Sequence, residues 1–375
     1  MNRFRLYILL VLAFLMMGMC AMACTTAVIS AKASATGRPM LFKQRDSSVK
    51  FNYVDFFCAT DSTFAFTGIV NTKDVERNEV WSGANTEGFA IMNSMSYGFS
   101  PLVTDERPWE GFIMKRALEI CRTVDDFELY IKGLPQPNGL EANFGVIDAE
   151  GGAAYFEVHD YGYFRFDVSD TECGYIIRTN YSMMGREGEG RGYDRYDIAF
   201  AKMGVLQGGF SAEWLIDELG RDPVIGRKTT VSSTVIEGVK AGDRKDSSVL
   251  WCAPGYAPAS YAIPTWVAAG DRIAEPLKTG GRGSALNELA NRLLDKYFLP
   301  QISEDTAGSL RCHYENGRCS RILSKVRAAE ASEFARGRAL DGLVRSGDAG
   351  ADAFETFNDG SERAYSAFAS SFRNL

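Results

Sequence analysis

The stretch AMACTT, Ala21–Thr26, stands where an apolar leader gives way to a sequence of globular type. Arg3 and Arg5 precede the apolar run, and small residues occupy the −3 and −1 positions before Cys24, which is the pattern of a secretory signal peptide. We therefore expect residues 1–23 to be removed and the exported chain to begin at Cys24. Two alternatives remain open: an uncleaved membrane anchor, because the apolar run approaches the length of a membrane span, and a bacterial lipoprotein acylated at Cys24.

The residues that follow Cys24 predict a β-hairpin. Small and β-branched side chains fill 24–30, a turn containing glycine and proline comes next, and a second strand pattern covers 40–46. Such a hairpin brings Asp46, at the end of the second strand, back toward Cys24.

The rest of the chain alternates between strand and helix patterns. Further strands are expected over 64–70, 88–93, 144–148, 153–158, 163–168, 173–180 and 261–267, and helices over 108–134 (in two pieces, with Thr123 capping the second), 194–203 and 211–219. The glycine-rich segment 185–192 is expected to be a loop, either at the mouth of a site or as a solvated connector. Because the chain becomes alanine-rich and helical after about residue 277, we predict a core domain over 24–275 and a helical C-terminal extension over 276–375.

The 375-residue chain has the composition of a globular protein, with 46% hydrophobic and 12% aromatic residues. Its formal net charge is −7, and the sequence has no basic block that would hold a phosphate backbone. These features argue against a nucleic acid as partner. Contact with a membrane is expected only through the leader or a lipid anchor, and oligomerisation remains open.

Eight cysteines and two histidines limit the metal and redox chemistry. If Cys20 leaves with the leader and Cys24 stays free, the remaining even set allows up to three disulfides in an exported protein. Cys312 and Cys319 flank an Asn-Gly pair and are the best local candidates for a disulfide. A zinc site is disfavoured because no CxxC motif occurs, and we predict neither a metal nor a cofactor.

The two histidines do not supply the base that hydrolases of the triad type need. His159 lies in a predicted hairpin turn, His313 lies among late cysteines, and no P-loop, GxSxG, HExxH or GxGxxG motif occurs. An N-terminal cysteine needs no histidine, because α-amines have a reference pKa of about 7.7–8.0 and are well matched to neutral pH. Cys24 would then combine nucleophile and base in one residue.

A nearby cation stabilises a thiolate, which is the attacking form of cysteine. Lys43 and Arg45 are the candidates for that cation, since both lie on the returning strand of the hairpin. Asp46 is a candidate to hold the α-ammonium group in place. The sequence leaves open whether Lys43 or Arg45 serves the thiol.

Several segments resemble one family. Residues 24–26 (CTT) and 35–47 (ATGRPMLFKQRDS) are similar to the opening of the N-terminal-nucleophile cysteine amidohydrolases. This is the choloylglycine hydrolase and penicillin V acylase group, with its relatives the acyl-coenzyme A:6-aminopenicillanic acid acyltransferases and the dipeptidases that begin Cys-Thr-Thr. Residues 83–93 (GANTEGFAIMN) resemble the family's G-x-N-x-x-G-x-A strand, and 143–152, Thr179-Asn180 and Asp194-Arg195-Tyr196 resemble its later motifs. The resemblance covers about residues 24–203.

Carried over to this sequence, the resemblance implies that Cys24 is the nucleophile and, through its amine, the base. It implies that Asp46 contacts that amine and that Asn180 and Asn93 donate hydrogen bonds to the tetrahedral oxyanion. Arg195 would support the thiolate or a substrate carboxylate.

The sequence departs from the family at Lys43, because the family usually carries arginine three residues before the aspartate. Lysine supplies the positive charge without the planar fork of arginine. We therefore expect a catalytic cation on this strand, at Lys43 or at the offset Arg45, with a geometry that differs from that of the family.

The resemblance implies an α+β fold, a four-layer αββα sandwich with antiparallel sheets. It also implies hydrolysis of a linear amide, of non-peptide or short-peptide type, through a thioester acyl-enzyme, with a small acyl amide as substrate. Acyl transfer to an amine acceptor and dipeptidase action use the same site and remain open, as does an inactive lipoprotein acylated at Cys24. The expected location is periplasmic or extracellular.

Overall fold

The computed structural model describes residues 23–99, 109–299 and 317–373. The predicted signal peptide up to Met22 lies outside the described residues, as do Cys312 and His313. The strands are β1 Thr25–Ile29, β2 Met40–Asp46, β3 Asn52–Phe57, β4 Phe66–Asn71, β5 Ser82–Asn85, β6 Ala90–Met95, β7 Ala142–Ile147, β8 Ala153–His159, β9 Gly162–Asp167, β10 Tyr175–Arg178, β11 Thr230–Glu237, β12 Val249–Pro254 and β13 Ile263–Trp266.

The helices lie on the outer faces of the strand layers. They are α1 Glu110–Ile120, α2 Val124–Lys132, α3 Tyr193–Leu206, α4 Ala212–Trp214 with a π-helical continuation Leu215–Gly220, α5 Ala285–Leu293 with a π-helical continuation Leu294–Phe298, α6 Gly317–Ser346 and α7 Ala351–Ser370. Short 3₁₀ turns lie at Val168–Asp170, Lys245–Ser247, Ala257–Ala259, Val267–Ala269 and Glu275–Leu277.

The strands form two antiparallel sheets. One is six-stranded, in the order β10-β1-β2-β11-β12-β13, and the other is seven-stranded, in the order β3 to β9. The hairpin of β1 and β2 therefore lies inside the first sheet, with β10 on one side of β1 and β11 on the far side of β2. This position explains why every residue of both strands is buried.

The two sheets pack face to face, and the contact is tight at Gly145 of β7. A Cβ atom there would lie 2.4 Å from Met92 Cε and 2.7 Å from Val28 Cγ2 of β1, so a larger residue does not fit. Helices α1 and α2 cover the outer face of the seven-stranded sheet, while α3 and α4 cover the six-stranded sheet. The layers are thus helix, sheet, sheet, helix, and the predicted αββα class is confirmed.

The predicted hairpin, the strands that resemble the family and the two-piece helix are confirmed. Thr123 begins α2 with a capping box, since its hydroxyl accepts from the Asp126 N–H and the Asp126 carboxylate accepts from the Thr123 N–H. The sequence patterns do not predict strands β3, β5, β11 and β12. For β11 the reason is physical: a strand buried on both faces shows no alternation of polar and apolar residues, and its sequence TVSSTVIE has none.

The helical C-terminal region is present, and it packs on the six-stranded sheet. Phe334 of α6 packs against Trp251 of β12 with ring centroids 4.2 Å apart, and Phe357 of α7 packs against Trp266 of β13. These side chains belong to the same hydrophobic cluster as Val28 of β1. The C-terminal helices therefore share the core of the sheet that carries Cys24.

A buried ion pair ties α6 to the hairpin. Arg38, in the turn before β2, donates from Nη1 to both carboxylate oxygens of Asp341 at 3.1 and 2.8 Å, and its Nη2 donates to the Ser247 carbonyl. Asp341 also accepts from Trp266 Nε1 at 3.0 Å. Arg38 is fully buried and Asp341 nearly so.

We expect Asp341→Ala to lower the free energy of unfolding by about 3–5 kcal/mol, because it leaves the Arg38 charge buried without this partner. Urea unfolding followed by circular dichroism measures the change. Asp352→Ala, at an exposed position of α7, is the matched control and should change stability by less than about 0.5 kcal/mol. Equal stability of the two variants would contradict a structural role for the ion pair.

Four of the cysteines that could have formed disulfides are unpaired. These are Cys58, Cys121, Cys173 and Cys252, so the three disulfides that the sequence allows do not all form, while the predicted Cys312–Cys319 pair involves a residue outside the described part of the chain. Burial raises the pKa of Cys121 and Cys252 to about 12, which makes them unreactive thiols. Within the described ranges, no helix is long and apolar enough to cross a membrane.

Candidate active site

The register of the six-stranded sheet places Cys24 in a row with two polar residues. In the β1–β10 ladder Thr26 pairs with Arg178, and in the β1–β2 ladder Thr25 pairs with Gln44. Continued by one residue before the start of β1, these registers bring Cys24 opposite Asn180 on one side and opposite Arg45 on the other. Residues that lie opposite each other in antiparallel strands point to the same face of the sheet.

The backbone nitrogen of Cys24 is held by a side chain. It donates a 2.6 Å hydrogen bond to Asn180 Oδ1. In this structure the nitrogen is still joined to Ala23, so it stands in for the α-amine that cleavage would release. Ala23 is 6% exposed and Cys24 is 3% exposed, so the bond between them lies inside the protein.

Arg195 of α3 holds both the start of β1 and the Asn180 side chain in place. Its Nη1 donates to the Cys24 carbonyl and to Thr25 Oγ1, and its Nη2 donates to Asn180 Oδ1 at 2.8 Å. Burial lowers the pKa of Arg195, while Asp46 and Cys24 act in the opposite direction. The guanidinium thus fixes the position of Asn180 relative to the start of β1.

The glycine-rich loop has a definite role in this contact. Gly192, at its end, has a φ of 86° and begins α3. A Cβ atom at Gly192 would lie 2.1 Å from Arg195 Nη2, so any side chain there would displace the guanidinium. Earlier in the loop, Arg191 exchanges backbone hydrogen bonds with Asn180. The loop therefore positions Arg195 next to Cys24. The glycine-rich composition does not indicate this contact.

The orientation of the Asn180 amide is set by its neighbours. Its Oδ1 faces the two donors, Cys24 N and Arg195 Nη2, whereas its Nδ2 donates to the Met95 carbonyl at 2.7 Å. One N–H of the NH₂ group that the predicted oxyanion role requires is therefore bonded, and the other has no hydrogen-bond partner among the described residues. In this arrangement Asn180 acts on the nitrogen of Cys24 as an acceptor.

Asn93 of β6 has the opposite arrangement. Its Oδ1 accepts a 2.7 Å hydrogen bond from Lys43 Nζ, and the described residues provide no partner for its Nδ2. Because the oxygen is fixed, the NH₂ group points away from Lys43 and is available as a donor. Of the two predicted oxyanion donors, Asn93 has both N–H groups of its amide free of partners among the described residues, whereas Asn180 has one.

Lys43 lies on the face of β2 that looks toward the second sheet. Its Nζ donates to the Trp81 carbonyl at 2.6 Å as well as to Asn93. Burial lowers the pKa of Lys43 to about 7, and the negative charge of a Cys24 thiolate raises it. The charge of Glu110, at the start of α1, also raises the pKa of Lys43. Burial raises the pKa of Glu110 itself to about 7.

Arg45 is the second cation near Cys24. Its guanidinium stacks on the Trp81 ring, 4.5 Å from the centroid, and its Nη1 donates to Asn71 Oδ1 at 3.0 Å. Burial lowers the pKa of Arg45 to about 10, so it remains charged at neutral pH. Neither Trp81 nor Asn71 was singled out from the sequence, because no motif marks them.

Asp46 ends β2 beside β11. Its Oδ1 accepts a 2.7 Å hydrogen bond from Thr230 Oγ1, and its Oδ2 has no hydrogen-bond partner among the described residues. Burial raises the pKa of Asp46 to about 6, and the charge of Arg195 opposes this rise. The hydrogen bonds of the described residues include none between Asp46 and the Cys24 nitrogen, so the predicted contact with the amine stays a prediction.

The histidine and metal predictions concern other parts of the chain. His159 ends β8 and packs against Phe99 and Phe164, with ring centroids 4.9 and 5.8 Å apart. The described residues contain no group of three His, Cys, Asp or Glu side chains arranged to hold a metal ion.

No family model and no curated protein matches the chain. Among solved structures, an N-acylethanolamine-hydrolyzing acid amidase ortholog from Caenorhabditis elegans has a TM-score of 0.45 and 17% identity, over 57% of this chain and 92% of that one. A variant of conjugated bile acid hydrolase from Clostridium perfringens has a TM-score of 0.41 and 12% identity, over 62% and 89% of the two chains. Penicillin V acylase from Agrobacterium tumefaciens has a TM-score of 0.38 and 11% identity, over 64% and 86%. The likeness is one of fold.

The low pKa of Lys43 leads to a prediction about pH. Because that pKa is about 7, the charge of Lys43 is complete well below pH 7 and is lost as the pH rises through 7. Arginine keeps its charge throughout this range. We therefore expect the pH profile of amide hydrolysis by Lys43→Arg to extend further on the alkaline side than that of the wild type, by about one pH unit or more. Lys50→Arg, at an exposed position, is the control, and superimposable profiles for the two variants would contradict the role of Lys43.

Proposed function

We propose that the chain, once it begins at Cys24, is an exported N-terminal-nucleophile cysteine amidohydrolase. It cleaves a linear amide through a thioester acyl-enzyme. The observation that carries the proposal is the 2.6 Å hydrogen bond between the Cys24 nitrogen and Asn180 Oδ1, in a residue that also bears the thiol. A side-chain acceptor at this nitrogen holds an amine in place after cleavage.

The first step is the activation of the thiol. The free amine of Cys24 takes the proton of its own thiol, directly or through water. Asn180 orients the amine, Arg195 fixes Asn180 and the Cys24 carbonyl, and the charges of Lys43 and Arg45 favour the thiolate.

The thiolate then adds to the amide carbonyl and forms the carbon–sulfur bond. The carbonyl oxygen becomes an oxyanion, and Asn93 Nδ2 is the donor placed to stabilise it, because Lys43 fixes the amide of Asn93 through its oxygen. When the carbon–nitrogen bond breaks, the ammonium of Cys24 returns its proton to the departing amine. Water, deprotonated by the same amine, cleaves the thioester and releases the acid.

The burial of Cys24 supports a nucleophile over a lipid anchor. A lipid chain on the sulfur would have to leave a site that is 3% exposed and enclosed by two sheets. Three charged side chains around that sulfur serve a reacting thiol and have no evident use for a thioether. Acyl transfer to an amine differs from hydrolysis only in the acceptor, and it uses the same residues.

The proposal is tested with the chain that begins at Cys24. Its N-terminus is checked by intact mass after export, and the purified protein is assayed with a panel of N-acyl amides of varied acyl chain and amine, with and without an added amine acceptor. Quenching in acid followed by mass spectrometry should show the acyl group on the peptide that begins with Cys24.

Release of free acid with an acylated Cys24 peptide is the expected result. Product formed only when the amine acceptor is present would assign the chain to acyl transfer. An exported chain that starts elsewhere, or that carries a lipid on Cys24, would overturn the proposal.

A further inference from the structure

Arg45 carries two hydrogen-bond donors that nothing in the protein uses. Its side chain is 2% exposed, and its Nε and Nη2 atoms are buried without a hydrogen-bond partner among the described residues. Buried charged donors are almost always paired in folded proteins, so an unpaired set requires an explanation. The other nitrogen, Nη1, is bonded to Asn71 Oδ1.

The two unused donors form one edge of the guanidinium. The N–H of Nε and an N–H of Nη2 point in parallel from the same side of the planar group. This is the edge that binds the two oxygens of a carboxylate in a bidentate pair. Asn71 and the Trp81 ring fix the plane of the group from other directions, so the edge is held rigidly.

The strand register places Arg45 beside the nucleophile. Continued from the pair Thr25 and Gln44, the β1–β2 register sets Arg45 directly opposite Cys24, and side chains opposite each other start about 4.5–5.5 Å apart at Cβ. A molecule whose carbonyl reaches the Cys24 sulfur therefore brings its other groups within reach of Arg45.

No acidic side chain among the described residues binds this edge of the Arg45 guanidinium. No ion pair of the described residues includes Arg45, and Glu79, the acid whose charge acts on it, makes no hydrogen bond to it. The Cys24 thiolate also acts on Arg45, but a single sulfur does not occupy two parallel donors. Lys43 supplies a second cation to that sulfur.

We propose that Arg45 is the substrate-recognition residue of this site and that it binds a carboxylate on the acyl amide. The inference rests on the proposed function and narrows it to substrates that are anionic. The carboxylate belongs either to the amine half, as in an N-acyl amino acid, or to the acyl half, as in the mono-amide of a dicarboxylic acid. Both present the same two oxygens to the guanidinium edge.

The test compares each substrate that carries a carboxylate with a neutral analogue of similar size. One arm uses an N-acyl glycine and the matching N-acyl glycinamide, and the other uses adipic acid mono-anilide and its methyl ester. The ratio of kcat/KM between the anionic and the neutral compound is measured for the wild type, Arg45→Gln and Arg45→Lys. The exposed Arg292→Gln serves as the control, and the rate of Cys24 alkylation is measured against pH for every variant.

We expect one arm to show a preference for the anionic compound that falls by roughly 10- to 100-fold in Arg45→Gln, as is typical for a lost charged hydrogen bond. Arg45→Lys should lie between the two, since lysine supplies the charge without the fork. The Arg292→Gln ratio should equal that of the wild type. The arm that responds identifies which half of the substrate carries the carboxylate.

Two results would overturn the inference. One is the same ratio in the wild type and in Arg45→Gln in both arms. The other is a parallel loss on anionic and neutral compounds together with slower alkylation, which would leave Arg45 with no role other than its effect on the thiolate. Binding of the same four compounds to the Cys24→Ala chain, measured by calorimetry, separates this inference from the proposed function. If the wild type cleaves no amide but Cys24→Ala binds the anionic compounds more tightly than the neutral ones, and Arg45→Gln removes that difference, the role of Arg45 in recognition is supported and the hydrolase proposal is wrong.

Discussion

A chain with one glycine added before Cys24 is expected to lose amide hydrolysis by roughly 10²- to 10⁴-fold, the usual contribution of a general base. The thiol is unchanged in this protein, but the nitrogen that Asn180 holds becomes a peptide N–H and cannot accept a proton. Replacing the thiol itself, in Cys24→Ala, should remove turnover altogether. Both proteins are prepared from a tagged precursor with a protease that leaves either Cys24 or Gly-Cys24 as the first residue.

The extended chain is its own control for folding. This structure contains Ala23 ahead of Cys24 and is well packed there, so one extra residue is compatible with the fold. Urea unfolding of the two chains should give equal midpoints, and Cys24 should still be alkylated in both. Full hydrolytic activity of the Gly-Cys24 chain would show that the α-amine is not the base.

The second large effect is expected for Asn180→Ala, with a loss of about two to three orders of magnitude in kcat/KM. The substitution removes the acceptor of the Cys24 nitrogen and leaves Arg195 Nη2 without a partner. Rates are measured from pH 5 to pH 9 because the two roles considered for Asn180 differ in their pH behaviour. Asn85→Ala is the matched control, since Asn85 is a buried asparagine that holds the Leu118 and Cys121 carbonyls elsewhere in the fold.

Asn180→Asp separates the two roles. It keeps an acceptor oxygen for the amine but loses the NH₂ group, and its negative charge favours a protonated amine. If Asn180 holds the amine, the acid limb of the kcat/KM profile moves to higher pH. If Asn180 instead donates to the oxyanion, kcat/KM falls as far as in the alanine variant and the limb does not move.

The hairpin and its importance can be predicted from the amino-acid sequence alone. Strand patterns lie on each side of the Gly/Pro turn, and Cys24 directly follows the predicted signal peptide. Together they place Lys43, Arg45 and Asp46 on the strand that returns toward Cys24, as the structure has them. The αββα class follows from the resemblance, and the strands observed in two facing sheets agree with it.

Other features of the site depend on contacts between distant parts of the chain. Which atoms of the Asn180 and Asn93 amides are already bonded is decided by Met95 and Lys43, and no local pattern carries that information. The same is true of Trp81, which supplies a carbonyl to Lys43 and a ring to Arg45. Glycine-rich composition suggests only a loop at 185–192, because a requirement for space at Gly192 becomes visible only when Arg195 is in place.

The burial of the bond between Ala23 and Cys24 bears on the biosynthesis of the protein. A peptidase needs an extended, accessible segment of chain, and here both residues flanking the bond are almost fully enclosed. If the chain is exported as we propose, we expect the predicted signal peptide to be removed during translocation, while the polypeptide is still unfolded. Under the same proposal, a chain that folded before cleavage would stay an inactive precursor, because the peptidase could no longer reach the bond that frees the amine.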